Sequence, residues 1–122
     1  MMLKNIMLAG LGGAVGTMMR FAVYALFKTA NFPFATLLIN IAGSFVIGLV
    51  IGLALKDIHF DNNWKVFLAT GLCGGFTTFS AFSLENFQML QQGKYFLAVV
   101  YILASIIAGI IATWVGYKLT AN

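Results

Sequence analysis

Apolar residues run along this chain in long blocks, and polar residues are confined to short breaks between them. Thr29 to Leu55 is 27 residues without a charge, Tyr95 to Tyr117 is 23, and Val66 to Leu84 is 19. Another 15, Asn5 to Met19, precede Arg20, and the apolar run Phe21–Phe27 follows it. A helix crossing the roughly 30 Å hydrocarbon core of a bilayer takes about 20 apolar residues. The blocks therefore predict four membrane-spanning helices.

The first span runs from about Leu3 to Phe27. A short turn, Lys28 to Phe32, leads to Pro33, which suits the first turn of a helix because its missing N–H would be unpaired there anyway. The second span then runs to about Leu55. Lys56–Asn63 is the most polar stretch and reads as an interfacial loop, with Asp61 or Asn62 as N-cap of the next helix. The third span starts near Trp64 and closes at Gln91-Gln92-Gly93. The fourth runs from about Lys94 to Lys118, with Tyr95, Trp114 and Tyr117 near its ends as interfacial aromatics. The expectation is a single all-α transmembrane domain over residues 1–122.

Composition agrees. Only 8% of residues are charged against 61% hydrophobic, while soluble domains carry about 25% charged residues. A soluble globule is excluded, as are disorder and a secreted disulfide scaffold. Cys73 is alone and has no partner for an intrachain disulfide. The first span is too long for a signal-peptide core. The net charge of +4 comes from single, scattered basic residues, so no nucleic-acid footprint forms. No paired carboxylates or Ser/His/Asp trio are present, and there is one histidine, His59, so no enzyme chemistry is visible.

Glycine pairs Gly12/Gly16 and Gly48/Gly52 have the small-xxx-small spacing that lets helix backbones approach closely in lipid. Four short helices make a small bundle, which points to one subunit of an oligomer. Even span number puts both termini on one side with Lys4, Lys56, Lys65 and Lys118, against Lys28, Lys94 and Arg20 on the other. So slight a bias under the positive-inside rule suits a chain that inserts both ways and pairs antiparallel. A fixed orientation with a small cytoplasmic excess is the other reading.

The third span does not read as one helix. Gly71-Leu-Cys-Gly74-Gly75-Phe-Thr77-Thr78-Phe79-Ser80 concentrates weak helix formers at one depth, which predicts a break at Gly74–Thr78 in mid-membrane. Lipid cannot satisfy the freed backbone groups, so such a break survives only where it is buried or lines a polar cavity. Freed carbonyls are hard oxygen ligands for a cation, and the resuming helix offers an anion its positive end. A continuous helix with hydroxyls bonded back to their own carbonyls is the alternative.

The stretch Gly71–Glu85, GLCGGFTTFSAFSLE, resembles the G-G-x-T-T-F-S-x-F signature of the Fluc (CrcB) family of fluoride channels. G-G-A-x-x-x-x-x-R ending at Arg20 and T-L-L-I-N-I-A-G-S-F at Thr36–Phe45 agree with it, and the resemblance covers the whole chain. It implies an antiparallel dual-topology homodimer in a bacterial plasma (inner) membrane, with two pores for passive fluoride export. It also implies a central structural Na⁺ held by the backbone carbonyls of Gly74 and Thr77 from both subunits.

Phe79 and Phe82 are three apart and share a helix face. Such a stripe is ordinarily core packing; the resemblance makes them pore phenylalanines, whose positive ring edges can face an anion. Asn40 sits about 10 Å into the second span, as a donor to fluoride or as an interhelical hydrogen bond. Arg20 is the one charge well inside a span. The resemblance places it near a pore vestibule, and the other reading is a snorkelling anchor. Ser80, Tyr101, Ser105 and Thr113 form a possible track of donors, although Ala81 stands where the family often has a hydroxyl. Glu85 falls near a pore mouth or at the solvated interface. The competing function is a small multidrug-type proton-coupled cation exporter, which needs a mid-membrane carboxylate. None of Asp57, Asp61 or Glu85 supplies one in the first or second span.

Overall fold

The computed structural model of the chain describes residues 1–27 and 32–122. Helices α1 (Met2–Leu26), α2 (Phe34–Lys56) and α6 (Tyr95–Ala121) are each continuous. Between α2 and α6 the chain passes through α3 (Asn62–Lys65), a π-helical stretch (Val66–Cys73), α4 (Gly74–Phe76) and α5 (Phe79–Gln91). Counting Asn62–Gln91 as one run, four helical segments are long and apolar enough to cross a membrane. The expected turn at Lys28–Phe32 lies, apart from Phe32, outside the described residues.

Local chemistry sets the boundaries. Asp61 caps α3 by accepting the Asn63 N–H at 2.9 Å, one of the two caps the sequence offers. The third segment thus starts two residues before Trp64. Pro33 is the capping residue of α2 rather than part of its first turn. Gly93, with φ +76°, closes α5 in the left-handed region that suits glycine. The fourth span extends three residues past Lys118.

Within the third segment Gly74–Phe76 keeps helical backbone. Thr77 (φ −78°, ψ 156°) and Thr78 (φ −148°, ψ 118°) are extended before α5 begins. Nothing in the sequence pattern anticipated the π-helical turns before α4; a run apolar but for Thr70 carries no periodicity by which to tell the two helix types apart.

The bundle is built from two close pairs. α2 runs along α6, and α1 runs along the π-helical stretch and α4. Both pairs need glycine at the contact. A Cβ on Gly12 or Gly16 would strike the Phe67 or Leu72 carbonyl, and one on Gly48 or Gly116 would strike the Thr113 or Phe45 carbonyl. Both small-xxx-small pairs therefore serve contacts within one chain. Hydroxyls reinforce them: Thr113 donates to the Ser44 carbonyl and Thr120 to the Leu49 carbonyl, tying α6 to α2.

α5 is packed least, touching chiefly α6. A small cluster of Met89, Ala98 and Tyr101, flanked by Phe32, Leu37, Phe82 and Leu97, fills that junction. Elsewhere large apolar side chains face outward; Phe21, Leu26 and Phe96 are 76%, 80% and 79% exposed. Patches on that scale are untenable in water and fit lipid or a protein partner.

Candidate functional site

A pocket of about 410 Å³ opens where α2, the π-helical stretch, α4, α5 and α6 meet. Of the residues singled out from sequence, Asn40, Gly74, Thr77, Phe79, Phe82 and Ser105 line it. Arg20, Ser80, Glu85, Tyr101 and Thr113 do not.

The pocket is organised by the two extended threonines. Extended backbone inside a helical segment leaves an N–H and a C=O that the helix no longer pairs. Asn40 supplies both partners for Thr78: its Oδ1 accepts the Thr78 N–H at 2.9 Å, and its Nδ2 donates to the Thr78 carbonyl at 3.2 Å. The primary amide carries two N–H bonds, so one donor is left over beside the pocket. Thr77 turns its hydroxyl back onto the Cys73 carbonyl at 2.8 Å. The Thr78 hydroxyl caps α5 by accepting the Ala81 N–H at 3.2 Å and lies 3.3 Å from the Ser80 hydroxyl.

On the α1 side, the Gly75 carbonyl is taken by Arg20 Nε at 3.1 Å and by the Thr17 hydroxyl at 3.5 Å. A guanidinium on the last carbonyls of a helical stretch is favourable both as a hydrogen bond and against the helix dipole. Arg20 is thus attached to the backbone of the third segment, just before the extended residues.

Two aromatic rings form one wall. Phe79 opens α5 and is 78% exposed, and Phe82 is partly buried against the Tyr101 cluster. Their ring centroids are 5.8 Å apart, and Phe82 is 5.0 Å from Tyr101. The shared helix face expected from their spacing is present; only Phe82 doubles as core. Ser105 faces the same pocket, and its hydroxyl oxygen is buried with no hydrogen-bond partner among the described residues. Thr113 is committed to the Ser44 and Gly109 carbonyls, both at 3.1 Å, so within this chain its hydroxyl is occupied.

Behind Phe82, Glu85 is held by two hydroxyls, Thr36 at 2.8 Å on Oε2 and Tyr101 at 2.9 Å on Oε1. Tyr24 of α1 completes the group, 2.7 Å from the Thr36 hydroxyl. Thr36 and Tyr101 are both fully buried. Glu85 is therefore engaged inside the chain and is not a freely solvated interfacial carboxylate. Sequence reasoning missed Tyr24, Thr36 and Thr17 as site residues. The signal was there in spacing: Arg20–Tyr24 and Thr36–Asn40 are i, i+4 pairs, and Thr17–Arg20 is an i, i+3 pair, so each pair shares a helix face.

Residues 7–117 match the family model described as CrcB-like protein, Camphor Resistance (CrcB). The chain belongs to the CrcB family. Its relatives include the fluoride-specific ion channel FluC of Azobacteroides pseudotrichonymphae, 50% identical over 122 residues and 98% of both chains. The protein of the same name from Leptospira interrogans is 41% identical over 98% of this chain and 96% of its own. The one from Pyrococcus abyssi is 36% identical over 98% of each. These CrcB relatives bear the name of a channel, not of an enzyme, in keeping with a sequence that carries no catalytic constellation.

Proposed function

We propose that this CrcB-family chain is a fluoride-selective channel that lets F⁻ leave the cell passively and so protects against fluoride toxicity. The reading includes an antiparallel, dual-topology homodimer in the inner membrane of a bacterium, with two pores at the dimer interface. The extended residues of the third segment then lie near the bilayer midplane.

One observation carries it. The spare amide N–H of Asn40, the unpartnered Ser105 hydroxyl and the Phe79 and Phe82 rings converge on a single pocket beside an extended stretch of backbone. Fluoride is small and strongly hydrated, so a path for it must return hydrogen bonds in place of water. Amide and hydroxyl donors do this. Ring edges add attraction without a full counter-charge, so the ion is not trapped. Arg20, one bond away from the same segment, supplies the positive potential that draws anions in. Export needs no energy source beyond the membrane potential, worth about 2.3 kcal/mol per charge per 100 mV.

A second copy of the chain is part of the reading. Phe79 is largely uncovered and Gly74 has open space where a side chain would stand, as expected of a face that a partner closes. The central Na⁺ fits this arrangement. Among the described residues there is no cluster of His, Cys, Asp or Glu that would hold a metal, so a hard cation must take neutral oxygens. The carbonyls of Gly74 and Thr77 are the available donors, two from each copy. Among the described residues, neither accepts any of the hydrogen bonds formed outside the helices. When bound, the ion would tie the two extended stretches together and fix the pocket wall.

The test is efflux from liposomes carrying the purified protein. Loss of fluoride with retention of chloride is the expected result. A cation exporter draws on one observation, the carboxylate of Glu85 inside the third segment, but both its oxygens are occupied by hydroxyls. Uptake of a cationic dye against a proton gradient, with no fluoride loss, would favour it instead.

A further inference from the structure

The hydroxyl network around Glu85 has a polarity that can be worked out by counting protons. Thr36 has one hydroxyl proton and points it at Glu85 Oε2, 2.8 Å away. At the 2.7 Å contact with Tyr24, Thr36 must therefore accept and Tyr24 must donate. Tyr101 donates to the other carboxylate oxygen. All three hydroxyl protons thus run toward the carboxylate: Tyr24 to Thr36 to Oε2, and Tyr101 to Oε1. Hydrogen bonds to an ionised carboxylate are the strong class, and a donor to the donor strengthens the chain further.

We propose that Tyr24 is a positioning residue of the ion pathway, which holds Thr36 as a donor to Glu85 and thereby keeps that carboxylate tied away from the pocket. This inference rests on the channel reading above. Three features single out Tyr24. It is the only member of the network on α1, so it alone couples that helix to the carboxylate. It lies one turn beyond Arg20, on the α1 face that already holds the Gly75 carbonyl. And its partner Thr36 is fully buried, where water cannot replace a lost donor.

Without the Tyr24 hydroxyl, Thr36 loses the donor that polarises its own O–H, so the bond it gives to Glu85 weakens and competes less well with the backbone carbonyl one turn back. Glu85 is then held chiefly by Tyr101. Glu85 is one turn past Phe82, whose ring lines the pocket. A carboxylate freed to lean that way sets a negative charge beside the path of an anion and opposes its passage.

Tyr24→Phe deletes the hydroxyl and keeps the ring. It is expected to slow fluoride efflux about three- to tenfold, the factor one hydrogen bond of this kind is worth. In a Glu85→Gln background, where there is no charge to restrain, the same substitution should change efflux little. Thr36 gives an independent comparison: the Tyr24→Phe effect should survive in Thr36→Ser, which keeps the hydroxyl, and vanish in Thr36→Val. An unchanged rate in Tyr24→Phe would overturn the proposal, as would an equal slowing in the Gln and Val backgrounds, which would mark Tyr24 as packing alone. A wild-type protein that releases no fluoride would overturn the channel reading instead, so the two failures are distinguishable.

Discussion

The two halves of the third segment have opposite designs. The first half, α3 through α4, carries Gly71, Gly74 and Gly75 and is wedged against α1, with Gly75 lying on the Gly13 backbone and Gly71 on that of Ala9 and Gly12. The second half, α5, has no glycine and touches chiefly α6, and it leaves Phe79, Leu84, Phe87 and Leu90 exposed. Between them stand the two extended threonines, of which Thr78 is fixed to α2 through Asn40. One half is a footing with its backbone in direct contact with another backbone. The other projects side chains outward from it, positioned by hydrogen bonds at its root. The pocket forms where they meet: the footing sets its geometry, and the projecting half adds two rings to the Asn40 and Ser105 groups of α2 and α6.

If that contrast is right, substitutions in the first half should act on folding and those in the second on transport. Gly75→Ala should have the largest effect, because a Cβ there meets the Gly13 backbone, which cannot step aside. Overpacking of this kind costs about 1–3 kcal/mol or more, and thermal unfolding in detergent should show it as a lower midpoint and a poor yield of monodisperse protein. Asn40→Ala strips both partners from Thr78. Buried unpaired groups cost about 1–3 kcal/mol each, so stability and fluoride efflux should fall together.

The phenylalanines sharpen the comparison. Phe82→Ala removes a ring that packs on the Tyr101 cluster and should cost stability as well as transport, by less than Gly75→Ala because the ring is only partly buried and the roughly 3–5 kcal/mol typical of Phe→Ala applies to a full core position. Phe79→Ala removes a ring that is exposed within its own chain, so the fold of each copy should hold while fluoride efflux falls. The smallest effect belongs to Gly10→Ala in α1, where a Cβ meets nothing. Helix propensity alone should raise stability by about 0.5–1 kcal/mol, with transport unchanged.

Much of this fold was legible in the sequence, because long uncharged runs leave few alternatives to spanning helices. The Asp61 cap and the Gly93 stop were legible for the same local reasons that make them work. The π-helical turns were not, since Val66–Cys73 is apolar but for Thr70 and offers no periodic signal. Site residues divided along similar lines. Asn40 and Ser105 stand out as polar groups inside a span, whereas the spacing of Phe79 and Phe82 reads as ordinary core packing and only the family resemblance singles them out. The Tyr24–Thr36–Glu85–Tyr101 network joins four separate elements, and no one-dimensional pattern states which hydroxyl meets which. Thr113 looked like a pathway donor by spacing, yet its hydroxyl is spent on two carbonyls, a choice fixed by how closely glycine lets α2 and α6 approach.

The most direct test of the account is a paired efflux measurement on wild type and Phe79→Ala in the same liposome preparation, recording fluoride and chloride together. Wild type should empty its fluoride and keep its chloride, while Phe79→Ala, recovered as a folded protein, releases fluoride far more slowly. Chloride leaving alongside fluoride from wild type, or fluoride leaving equally fast from both proteins, would contradict the claim that this pocket is the anion's path.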